Sequence, residues 1–265
     1  MQFSPKQWAI IAGAVLVVVL IGIGAARERM ITPVAPVATS TPSVASSTPG
    51  SAQSGEAPPS IAPRPFPINS ADTIASWNFK GAYTGNSTLI SKADSDSVHL
   101  TSLLGKGQYD DYDLYIGIGN DANLTGDGKA AYDAYNRAIA IHPDKGLAYA
   151  NLGHLFDELG AYHTAADAYA KAVAVEPSVL EYHIERLSFL TRQFPTDTAL
   201  ITAALTDASK QFGDTPSILA IEAQWLTGQG RYADAIKAWE TVKMLSPQDR
   251  QAPIDAEIAR LKAEQ

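Results

Sequence analysis

Between residues 112 and 177 one pattern of apolar and polar positions is written twice. Tyr115, Ile118, Gly119, Ala122, Ala131, Tyr135, Ala138 and Pro143 return 34 residues later as Tyr149, Leu152, Gly153, Phe156, Ala165, Tyr169, Ala172 and Pro177. A third copy holds Leu219, Ala223, Leu226, Ala235, Trp239, Val242 and Pro247, with Glu222 in the column of Ile118 and Leu152. Each copy breaks at a glycine (Gly126, Gly160 or Gly230) and ends on a proline, which cannot continue a helix. The pattern predicts units of two antiparallel helices. Gly119 and Gly153 fall inside helical runs, where glycine costs about 1 kcal/mol against alanine. Close approach of the paired helices offsets that cost, with Ala131, Ala165 and Ala235 opposite and the aromatics filling the gap to the next unit. Such a pair buries too little by itself and requires stacked neighbours.

The remaining chain arranges itself around these units. Residues 8–26 (WAIIAGAVLVVVLIGIGAA) form an uncharged run of 19, which as a helix spans about 28 Å. We read it as an uncleaved membrane anchor after a short tail, 1–7. The run exceeds the usual apolar core of a signal peptide, and Lys6 is the only basic side chain before it. Lys6 on one side and Arg27 and Arg29 on the other nearly balance the positive-inside rule. The expected orientation is a cytoplasmic amino terminus with the repeats extracytoplasmic. Residues 27–73 read as a disordered linker rich in proline, serine and alanine, with nine of the chain's 16 prolines between Pro33 and Pro67. Residues 74–108 carry an aromatic cluster (Trp77, Phe79, Tyr83) and then a helical pattern from Ser87 to about Leu104. They are expected to cap the open end of the array.

The array itself spans 109–265. Its repeats are expected at 112–145, 146–179 and 216–249, with a degenerate unit at 180–215 that lacks the glycine and alanine columns. A final amphipathic helix, 252–264, turns Ile254, Ile258 and Leu261 to one face. The fold class is therefore all-α, a solenoid of helical hairpins behind one transmembrane helix and a linker.

Charge and composition narrow the function. Twenty basic residues stand against 28 acidic ones. Beyond residue 76 the balance is 16 to 25, which disfavours phosphate backbones and makes nucleic acid an unsuitable partner. Cysteine is absent, which excludes disulfides, thiolate metal sites and a cysteine nucleophile. The five histidines show no HExxH or paired metal spacing, and no nucleophile elbow or phosphate loop occurs. The segment 121–127 imitates the start of a calcium loop, but Tyr132 stands at the twelfth place, where a bidentate glutamate belongs. It coincides with the turn of the first unit, which needs glycine and capping residues anyway. Asp110, Asp111 and Asp113 read as complements to a helix dipole. No cofactor, metal or catalytic residue is expected, and the chain reads as a non-enzyme.

The 34-residue period with these columns resembles the tetratricopeptide repeat (TPR). The resemblance implies a peptide- or protein-binding scaffold whose first helices line a concave groove. Carried over position by position, the groove comprises Asp113, Ile116, Asn120 and Asn123 in the first unit. The second adds Leu147, Ala150, Asn151, His154 and Asp157, and the last adds Ser217, Ala220, Ile221, Gln224 and Thr227. Asn120 and Asn151 match the asparagine places of the carboxylate clamp known in some members. Ile116 and Ala150 stand where its lysine is needed, so the clamp is incomplete. A neutral-to-acidic groove suits a neutral or basic segment. The expected function is a membrane-tethered adaptor that organises an envelope complex, with a self-associating structural repeat protein as the first alternative and a calcium-dependent or enzymatic module as the second.

Overall fold

The structure is a computed structural model that describes residues 64–265. The expected tail, membrane span and linker as far as residue 63 lie outside the described residues. Among the described residues no helix is long and apolar enough to cross a membrane. Their regular elements are all helical, apart from one isolated bridge between Asn78 and Asp127.

Ten α-helices follow in order. A first helix, α1 (Ser87–Leu103), is capped by the Asn86 side chain accepting from the Leu89 amide at 3.2 Å. Four hairpins come next: α2 (Asp111–Thr125) with α3 (Gly128–Ile141), and α4 (Leu147–Glu158) with α5 (Tyr162–Val175). Then come α6 (Leu180–Gln193) with α7 (Thr198–Phe212), and α8 (Pro216–Gly228) with α9 (Tyr232–Leu245). After a short 3₁₀ turn, α10 (Gln251–Lys262) closes the stack by burying Ile254, Ile258 and Leu261. From Gly128 to Tyr162, the starts of α3 and α5, is 34 residues. The turns within three hairpins carry Gly126, Gly160 and Gly230 at φ +89°, +73° and +71°, a conformation that side chains resist.

The helix glycines have a different partner from the one expected. Ala131, Ala165 and Ala235 are fully buried, but the space beside Gly119 is taken by an aromatic ring of its own hairpin. A methyl group on Gly119 would lie 2.4 Å from Tyr135 Cε1, and one on Gly153 2.8 Å from Tyr169 Cδ1. Each buried ring thus lies in a notch on the first helix. Tyr169 also reaches Phe189 of α6, with ring centroids 5.1 Å apart, so one ring joins two hairpins.

α1 packs along α2, and its Leu100 side chain closes on Gly117. The aromatic cluster before it does something else. The Trp77 ring lies 5.0 Å from Tyr132 and its carbonyl accepts from the Gly128 amide at 2.8 Å. The Phe79 and Tyr83 amides donate to the Gly126 and Leu124 carbonyls at 3.2 and 2.9 Å. These residues wrap the first inter-helix turn.

Residues 64–73 also differ from the expected linker: they form an extended segment seated between α3 and α5. Phe66 packs on Tyr149 and Phe156 of α4, at centroid distances of 6.0 and 6.4 Å. Its carbonyl accepts from the Tyr132 hydroxyl at 2.8 Å, and its amide donates to Asn136. Asn69 donates from its amide to Thr164 Oγ1 at 3.0 Å and from its side chain to Asp167 at 2.8 Å. The cap residue of α5, Ala161, has no side chain able to accept the first free amides. Asp72 supplies that acceptor from far away in sequence, taking bonds from the Thr164 amide at 2.6 Å and its hydroxyl at 2.7 Å. Proline at 65 and 67 forbids helix and sheet yet allows an extended chain, which is why proline density misplaces the linker's end.

Two measurements test this packing. Phe66→Ala is expected to cost about 1–3 kcal/mol of unfolding free energy, and Asp72→Ala about 1 kcal/mol through the lost cap, both read by chemical denaturation. Gly119→Ala is expected to destabilise by about 1–2 kcal/mol, because overpacking the Tyr135 notch outweighs the gain in helix propensity. Gly228→Ala, where an added methyl meets nothing within 4 Å, is the control and leaves stability unchanged or slightly raised.

Candidate binding groove

The sequence-predicted positions lie on the first helices of three hairpins, α2, α4 and α8, and α6, the first helix of the third hairpin, carries none of them. Asp113, His154, Ser217 and Gln224 are exposed. Asn120, Asn123, Leu147, Asn151, Asp157, Ala220, Ile221 and Thr227 are half-buried. Ile116 and Ala150 are buried, at 1% and 2% exposure, and offer no side-chain surface.

The asparagines are tied to one another. Asn120 Oδ1 accepts from the Tyr135 hydroxyl at 2.9 Å and from Asn151 Nδ2 at 3.0 Å, so the notch ring and the groove share one hydrogen-bonded group. The Asn123 Oδ1 atom is buried with no hydrogen-bond partner among the described residues. Asp110 caps α2 and accepts from Lys145 at 3.4 Å, with His142 Nε2 3.0 Å away. Desolvation works to raise the Asp110 pKa. The Tyr112 amide, Lys145 and His142 outweigh it and hold the carboxyl below its ordinary value.

The degenerate unit supplies groove residues that the repeat columns do not reveal. Its first helix, α6, sets Glu185 Oε1 3.7 Å from His154 Nε2. It also directs Arg192 and Gln193 onto Asp157, with the Gln193 bond at 2.8 Å. The separations are 31, 35 and 36 residues, so none falls on the 34-residue column. The amphipathic run from Leu180 was the available signal. His154 therefore stands over a polar seam between α4 and α6, its ring edge-on to Tyr169 at 5.6 Å. Desolvation by the neighbouring helix lowers its pKa, but the hydrogen bond and charge of Glu185, helped by Asp157, outweigh this, and the net shift is upward.

A histidine pKa raised by folding stabilises the protein at pH values below the unfolded value of about 6.5, and this contribution is lost as pH rises through the folded value. The thermal midpoint of the wild type is expected to fall more between about pH 6 and pH 8 than that of His154→Gln. The difference is about 1–2 °C because the ring is half-exposed, and circular dichroism melts at the two pH values check it.

No protein-family model and no curated protein matches the chain. Among solved structures it is similar to TTC0263, a thermophilic TPR protein of Thermus thermophilus. Identity is 16% over 66% of this chain and 93% of that one, with a TM-score of 0.47. It is similar to MamA AMB-1 at 16% identity, over 62% of this chain and 92% of that one, with a TM-score of 0.44. Yeast Tom70 follows at 15% identity, over 63% of this chain and 42% of that one, with a TM-score of 0.37. The chain's own glycine-turned hairpins, the 34-residue step from α3 to α5 and the rings seated on helix glycines make it a TPR-like array.

Proposed function

We propose that the array is a protein-binding scaffold, held at a membrane by residues 8–26, that recruits or organises other envelope proteins. The observation that carries the reading is the linked set of side chains on α2, α4 and α6, where Tyr135 and Asn151 hold Asn120 and Glu185 stands beside His154, with Asp113, His154 and, on α8, Gln224 exposed. Such a set is preorganised, so an incoming segment does not have to order it, and that saving favours binding. A repeat stack also presents an extended surface rather than an enclosed pocket. The acidic balance of the array suits a neutral or basic extended segment or helix. The amino terminus lies in the cytoplasm and the array outside it.

In-cell photocrosslinking tests the reading. A photoreactive residue replacing His154 is expected to capture a distinct protein that the same residue at exposed Lys171, on the second helix of the same hairpin, does not. Equal capture from both positions, or none from His154, would remove the groove from the mechanism. Self-crosslinks alone would favour the structural oligomer.

A further inference from the structure

The groove filled by residues 66–72 recurs elsewhere in the array, open. It is a cleft of about 830 Å³ bounded by α7, α8 and α9. Its lining repeats the filled groove at a constant offset of 70 residues. Tyr132 and Asn136, which bond the Phe66 backbone, correspond to Thr202 and Thr206. Tyr149 and Phe156, which carry the Phe66 ring, correspond to Leu219 and Leu226. Thr164 and Asp167, which hold Asn69 and Asp72, correspond to Asp234 and Lys237. One groove of this array thus shows what covers the other: an extended stretch of chain.

Besides the changes to Asp234 and Lys237, the open cleft carries a charge in a column that is apolar in the filled groove. Fully buried Leu152 lies between Tyr149 and Phe156 on α4, and its counterpart in the lining of the cleft is the half-buried Glu222. Arg231 and Lys237 are paired with Asp234 at 2.6 and 3.7 Å, and Lys210 stands on the exposed rim. The Glu222 carboxylate makes no hydrogen bond or ion pair among the described residues. Burial, with Asp214 and Asp234 near, raises its pKa despite Arg231.

We propose that the α7–α8–α9 cleft is a second docking site, on a different face from the concave groove, for an extended segment of a partner protein. The segment places an arginine or lysine where Phe66 sits in the filled groove. The aliphatic stem of that side chain covers Leu219 and Leu226, as long basic side chains cover apolar surface. Its cationic head pairs with Glu222, and Thr202 and Thr206 take the backbone bonds. The chain's own segment is a poor occupant, because Phe66 would lie over a carboxylate and Asp72 would meet Asp234. This inference is independent of the concave-face reading.

The probe is a fluorescein-labelled peptide of residues 64–79 carrying Phe66→Arg and Asp72→Asn, titrated with the full-length chain in detergent micelles and followed by anisotropy. Saturable binding is expected, at least tenfold tighter than that of the unaltered 64–79 peptide. Glu222→Gln should weaken it tenfold or more, and Glu222→Leu, which restores the residue of the second copy, should abolish it while the far-ultraviolet spectrum stays unchanged. Unsaturable binding, or equal binding to wild type and Glu222→Gln, would overturn the proposal. Equally tight binding of the unaltered peptide would also overturn it and assign the cleft to a second copy of this chain.

Discussion

An aromatic ring lying in a glycine notch is the contact on which the rest of this array depends. Tyr135 and Tyr169 reach across their hairpins to the one place on the first helix where a methyl group would collide with them. The notch fixes how near the two helices come and in what register. The same tyrosines then set the next layer of contacts: Tyr135 donates to Asn120, and Tyr169 meets Phe189 of the following hairpin. Interiors of this density do not accommodate an extra methyl without moving neighbours. Asn120, and Asn151 through it, is therefore held by the ring that holds the first hairpin.

Where the notch is lost, the array changes character. The last hairpin keeps a ring, Trp239, but carries Ala223 in the glycine column, and the indole Nε1 is buried without a partner among the described residues. The third hairpin has neither the ring nor the glycine of those columns, and its first helix adds to the buried Leu187, Phe189 and Leu190 polar and ionic contacts from Glu185, Arg192 and Gln193 to α4. α7 and α8 leave the open cleft between them and α9. Departures from the repeat are thus where hydrogen-bonding and charged groups collect. An apolar column that is broken exposes or half-buries whatever stands next to it.

The segment before the helices completes the first half of the stack. Phe66 and Trp77 supply apolar surface to Tyr149, Phe156 and Tyr132, while Asp72 satisfies amides that Ala161 leaves free. A helix that starts without a capping side chain has to find an acceptor elsewhere, and here it comes from a residue some 90 positions earlier.

The 34-residue period, the turn glycines, the prolines that end each unit and the amphipathic last helix were all legible in the sequence. Each is a local requirement: a left-handed turn, a blocked helix or a one-sided apolar face acts within a few residues of itself. The groove positions on α2, α4 and α8 came from the resemblance to the tetratricopeptide repeat and not from the columns themselves. Only the tertiary structure decided that Ile116 and Ala150 turn inward, that α6 brings Glu185 to His154, and that Asp72 caps α5. These contacts join residues 31 to 92 apart without a common period, so no spacing encodes them. The notch partner was also undecided by sequence, since a glycine column announces close approach without saying what approaches. Periodicity specifies what each helix must bury, and three-dimensional packing chooses what buries it.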